Sequence, residues 1–96
     1  MPDFILLMHD DSEADDAAWQ PYIATLIKRG CFEGGSAVGD GVALRKTGAP
    51  APLLSGLAGF IRVSADSLEQ AKTLLQGNPV YEAGGTVEIR ELPRTD

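Results

Sequence analysis

His9 is the only imidazole in the 96-residue chain, and it follows directly on the apolar run at residues 4–8. Imidazole is the side chain best suited to acid–base work near neutral pH. Such a group needs a partner to orient it, and Asp10 points to the other side of an extended chain, so Glu88 or a carboxylate of a second copy has to serve. The alternative is a structural or solvent-facing His9. Arg62, Glu88 and Arg90 form a second candidate cluster. Two guanidinium groups can hold a carboxylate bidentately, or the three residues can pair among themselves across neighbouring strands. Trp19 and Tyr22 are spaced either to wall an aromatic pocket or to pack a core with Ile23 and Leu26.

Other chemistry is less well supported. Five acids crowd residues 10–16, but they lack the glycine and closing glutamate of an EF-hand loop and suit the positive end of a following helix. No Cys/His spacing fits zinc or iron. The glycines at 34–41 are followed by a strand pattern without Gly-Lys-Ser/Thr, which argues against a phosphate loop. Gly34-Gly35-Ser36-Ala37-Val38 misses the last glycine of a nucleophile elbow. Cys31 follows a helix C-terminus, where the dipole disfavours thiolate, and reads as a buried inert thiol. The expectation is a protein with no metal and no cofactor.

The elements that position these residues follow from period and punctuation. Residues 4–8 are apolar on both faces, as in a central strand. Trp19, Tyr22, Ile23, Leu26 and Ile27 make one stripe of a helix over 16–29, stopped by Gly30, with Pro21 just past the first turn and bending its start. Turns are expected at Gly34-Gly35 and at 39–41, then a charged second strand at 42–46 near a sheet edge. Residues 47–56 read as the loop of a wide hairpin and the most mobile part of the chain. A third strand spans 60–64. A second helix follows with Asp66 as N-cap, Glu69 three residues on, and Leu68, Ala71, Leu74 and Leu75 on its inner face. Gly77 ends it and Pro79 prevents its resumption. A strictly alternating fourth strand covers 86–92. The order predicts an α+β, ferredoxin-like βαββαβ split over residues 1–96: a four-stranded antiparallel sheet, first and third strands central, with two helices on one face.

Side-chain parity then divides the sheet. Ile61, Val63, Val87 and Ile89 belong under the helices, whereas Phe60, Arg62, Glu88, Arg90 and Leu92 belong on the open face. That face has an apolar centre flanked by charges, and such surfaces mark interfaces. Two sheets paired face to face in a homodimer would bury the centre and leave the charged positions lining a shared cleft. A 10.1 kDa chain leaves room for a single domain, so a cleft it owns alone should be small. Net charge −6 and a pI near 4.6 disfavour duplex nucleic acid and anionic membranes, so neither is expected as a partner. One cysteine, no signal-peptide core and no membrane span together suggest a cytoplasmic protein.

Four segments carry a resemblance to a known family: the opening Phe-Ile-Leu-Leu-Met-His-Asp-Asp, the segment at 30–35, the run at 59–68, and Asn78-Pro79-Val80-Tyr81-Glu82-Ala83-Gly84-Gly85 with the following Thr-Val-Glu-Ile-Arg. Together they resemble the YCII-related (YciI-like) family of the dimeric α/β-barrel superfamily, over nearly the whole chain. The resemblance implies the same fold and dimer. It also implies a His on the first helix and an Asp before the last strand as an active pair, but Trp19 and Asn78 stand at those positions. An indole relays no proton near neutrality and an amide is no base, so that chemistry is not carried over. The Asp-Gly-Pro-Phe signature of a related branch is not matched at 47–52.

Two functions follow. One is a small homodimeric enzyme, free of cofactor, acting on a small organic or aromatic acid. Its cleft would lie at the dimer interface, with His9 as acid or base and Arg62, Glu88, Arg90, Trp19 and Asn78 around the ligand. The other is a non-catalytic ligand-binding or regulatory dimer.

Overall fold

Phe4, Leu6 and Met8 are buried, while Asp3, Ile5, Leu7 and His9 between them are half-buried, so β1 (Asp3–His9) has one face in a core and the other uncovered. The computed structural model describes residues 1–52 and 56–94. β1 pairs antiparallel with β3 (Leu57–Ser64) on one side and with β4 (Val87–Leu92) on the other. With β2 (Phe32–Ala37) outside β3, the strand order is β2-β3-β1-β4. The first and third strands are central, as the alternation of elements requires. Ile61 and Val63 are buried beneath the helices, and Val87 and Ile89 pack against the same core. Phe60, Arg62, Glu88, Arg90 and Leu92 share the register of Ile5 and Leu7 on the open face.

The second strand is the main correction. The run at 42–46 forms no strand, and Val42 and Leu44 are 78% and 88% exposed. Instead the strand takes the glycines that had been read as a turn. A side chain at Gly35 would bring its Cβ to 2.5 Å from the Phe60 carbonyl oxygen and 3.0 Å from Ile61 Cα. Only glycine lets β2 lie that close to β3, and Gly34, at φ 121°, absorbs the register shift after Phe32. The connection to β3 thus begins at Val38. Residues 53–55 of the expected hairpin loop lie outside the described residues.

The helices shift by smaller amounts. A 3-10 turn (Asp16–Ala18), capped by Asp15 Oδ1 accepting from the Ala17 N–H, leads into α1 (Trp19–Lys28). Pro21 therefore falls in the first turn of α1, where a missing N–H costs no helical bond and no bend is needed. Tyr22 and Leu26 are buried, and Ile27, at the edge of the stripe, is exposed. α2 (Leu68–Thr73) is capped by Ser67 Oγ, which accepts from the Gln70 N–H. Asp66 lies one residue outside it, its own N–H donating to Gln70 Oε1. That offset turns Leu68 outward and leaves Ala71 and Leu74 in the core. Pro79 opens a third helix instead of only preventing continuation: α3 (Pro79–Glu82) has proline at its first position and Asn78 as cap.

Candidate functional site

The cavity arises where the sheet carries its smallest side chains. On the helix-facing side of β2 and β3, Gly35, Ala37 and Gly59 stand where Phe4, Leu6 and Val63 fill the space elsewhere. α1 crosses above them and contributes Trp19 and Ile23. The result is a cavity of about 780 Å³, walled by Met8, Trp19, Ile23, Phe32, Ile61 and Val80 and rimmed by His9, Asp10, Glu13, Asp16, Ser36 and Phe60. That volume lies within the roughly 300–1,000 Å³ range of small-molecule sites. One copy of the chain owns it. The shared cleft expected on the open face is on the other side of the sheet from this space.

His9 ends β1 at the rim. Its register slips by one against β3, and its N–H donates to the Thr86 carbonyl at 2.9 Å, which fixes the backbone at the mouth. The ring reaches Glu88 on β4, with Nε2 3.2 Å from Oε1. Arg90 Nε donates to the other Glu88 oxygen at 2.7 Å. The Arg90 guanidinium first, and the His9 ring second, hold the Glu88 carboxyl below its ordinary range. An ionised Glu88 is an acceptor for Nε2–H, and with Nε2 so engaged Nδ1 is the ring nitrogen without a hydrogen-bond partner among the described residues.

The expected site residues therefore divide into three groups. His9, Glu88 and Arg90 are brought together in a chain, and Arg62 shares their face on β3 without joining it. Trp19 lines the cavity and meets Tyr22 edge-to-face, their ring centroids 6.2 Å apart. Asn78 does neither. It is fully buried, and its Oδ1 accepts from the N–H groups of Val80 at 3.0 Å and Tyr81 at 3.1 Å. Tyr22 is a core residue whose hydroxyl donates to the Leu74 carbonyl at 2.6 Å. Burial pushes its phenol up, and the Asn78 side chain opposes that. Cys31 is buried, its thiol directed at the Leu26 carbonyl.

The acids also divide. Asp11 accepts from both the N–H and the hydroxyl of Thr86, at 2.9 and 2.7 Å, which lowers its carboxyl, and Asp15 caps the turn before α1. Asp10, Glu13 and Asp16 stand at the cavity, with no Lys or Arg among its lining residues. Arg62 and Arg90 lie on the open face and not at this space. Sequence reasoning missed the cavity floor. Its signal was the clustering of small residues at 34–37 and again at 58–59.

No family model matches the chain, and no curated protein matches it. A solved structure of 5-chloro-2-hydroxyhydroquinone dehydrochlorinase from Burkholderia phenoliruptrix AC1100, in complex with 2,5-dihydroxybenzoquinone, is similar with a TM-score of 0.64 at 15% identity. The alignment covers 97% of this chain and 95% of that one. The shared element is the fold: an α+β chain with a four-stranded antiparallel sheet. Among the described residues no helix is long and apolar enough to cross a membrane.

Proposed function

We propose that the chain is a YCII-related enzyme, free of cofactor, that acts on a small aromatic ring compound, with His9 as its acid or base. The carrying observation is the sole imidazole, held through Nε2 by Glu88, at the rim of an apolar cavity large enough for such a ring. Arg90 keeps Glu88 an acceptor, Glu88 sets the ring tautomer, and Nδ1 is left to exchange a proton. A hydroxyl or activated C–H of a bound ring would pass its proton there, an effect of typically ~10²–10⁴-fold on rate. The binding of 2,5-dihydroxybenzoquinone by a protein of the same fold supports a ring-shaped ligand. Two copies pairing through Ile5, Leu7, Phe60 and Leu92 would cover Glu88 and Arg90, while His9 at the strand end stays at the cavity rim. An organic acid clamped by Arg62 and Arg90 would need that paired face, since the cavity draws on neither arginine.

A second reading, a ligand-binding dimer without turnover, has its own support. Trp19 and Asn78 occupy the positions of the family's active pair, and Asn78 is occupied as a helix cap. Trp19 is the only tryptophan and lines the cavity, so its fluorescence reports occupancy directly. A library of small ring compounds is screened by Trp19 quenching and each binder is incubated for turnover, with wild type and His9→Ala side by side. Binding by both with turnover only by wild type supports the enzyme. Binding without turnover by either supports the second reading, and turnover undiminished in His9→Ala removes His9 from its role.

A further inference from the structure

We infer that the cavity takes an aromatic amine, with the ring among Trp19, Ile23 and Phe32 and the ammonium at the mouth beside Asp10, Glu13 and Asp16. This rests on the reading of the cavity as a ligand site and names the ligand's charge. Three observations converge. The walls are aromatic and aliphatic, which suits a ring and supplies π faces toward a cation. The ionisable residues of the lining are His9 and three carboxylates, with no Lys or Arg, so an organic acid would meet more negative than positive groups there. The three carboxylates are also uncommitted. Of the five acids on this stretch, Asp11 is taken by Thr86 and Asp15 by Ala17. Among the described residues no side-chain hydrogen bond or ion pair engages Asp10, Glu13 or Asp16.

The nearby helix start does not reverse the sign. A helix N-terminus ordinarily favours anions, but here the turn leading into α1 already has Asp15 as its cap and Asp16 in its first turn. That positive end is met by the chain's own carboxylates before any ligand arrives. The charge preference is therefore set by Asp10, Glu13 and Asp16 together, three exposed carboxylates at the mouth whose effect is open to screening by salt.

The test uses three probes that share one phenol ring and differ in charge at pH 7: tyramine, 4-ethylphenol and 4-hydroxyphenylacetate. Each is titrated into the full chain and followed by Trp19 quenching, with calorimetry as a second readout. Tyramine should bind at least tenfold more tightly than 4-hydroxyphenylacetate, with 4-ethylphenol between them. In Asp10→Asn/Glu13→Gln/Asp16→Asn that spread should fall below about threefold, and it should shrink in wild type as salt is raised. The single Asp10→Asn and Glu13→Gln chains, which alter exposed side chains, give the same trend in smaller steps if the triple variant folds poorly. Binding of the acid as tight as or tighter than the amine overturns this inference and leaves the ligand-site reading standing. Binding of none of the three overturns both.

Discussion

Glu88 and Asp11 are the carboxyls, among the described residues, whose hydrogen bonds predict a pH-dependent contribution to stability. Both carboxyls are held below their ordinary values, Glu88 by Arg90 and His9 and Asp11 by its two bonds from Thr86. A carboxyl lowered in the fold stabilises it above the unfolded value, and that contribution is lost as pH falls through the folded value. Asp11→Asn and Glu88→Gln should therefore lower the melting temperature at pH 7, and the gap to wild type should narrow below about pH 4. Thermal melts from pH 7 to pH 3 check this, and a gap that stays constant with pH would rule out the ionic origin. Tyr22 acts at the other end: its buried phenol stays protonated, and stability falls as pH rises past the ordinary tyrosine value of ~10. Asn78 makes a different prediction, because its part is geometric. Asn78→Ala leaves the Val80 and Tyr81 N–H groups without their acceptor in a buried place, at a cost of about 2 kcal/mol. Urea unfolding should show that loss, and ligand quenching of Trp19 should be unchanged, since Asn78 is not part of the cavity wall. A loss of binding with stability intact would instead make Asn78 a ligand residue.

At the scale of elements, β1, β3, β4 and the stripe of α1 were legible because period and burial agree in each. Their parity was legible for the same reason, and it placed Arg62, Glu88 and Arg90 together on one face before any coordinates. β2 was not legible. Its Gly34-Gly35 pair has no strand propensity, and its place is set by contact with the β3 backbone, which no local pattern records. The decoy at 42–46, a short apolar run after glycine turns that ends in Arg45 and Lys46, pairs with no strand among the described residues. Missing β2 also hid the cavity, because the floor is made by side chains that are absent. That origin is testable through Ala37, whose register opposite Gly59 puts it on the helix-facing side and in the cavity lining. Ala37→Phe fills the space from an edge strand without touching His9 or the three mouth carboxylates. Aromatic-ligand binding should fall at least tenfold while the melting temperature holds or rises, as cavity filling commonly gives. Binding that survives Ala37→Phe would place the ligand elsewhere.

For the whole molecule the decisive dimension is thickness. The principal extents are 46 × 38 × 19 Å, and among the described residues the helices form one layer on one side of the sheet, with Ile5, Leu7 and Phe60 half-buried on the other. The radius of gyration, 14.7 Å, exceeds the about 12.5 Å expected for a compact domain of this length. Ile5, Leu7, Phe60 and Leu92 lie on the uncovered face as half-buried side chains, near a charge set in which Arg62 and Arg90 offset Glu88. A two-fold pairing sets that face against itself, so each copy's apolar centre meets the other's and the net charge of −6 is carried mostly elsewhere. A stable interface needs about 800 Å² from each partner, which a four-stranded face of this size can supply. Light scattering at micromolar concentration should give about twice the 10.1 kDa chain mass. Leu7→Arg should return the single-chain mass with the far-UV spectrum unchanged, because Leu7 points away from the core that holds Phe4, Leu6 and Met8. The same variant separates the two clefts. If the cavity under α1 is the ligand site, Leu7→Arg keeps Trp19 quenching even as a monomer, whereas a site built by the paired open faces loses its ligand with its partner.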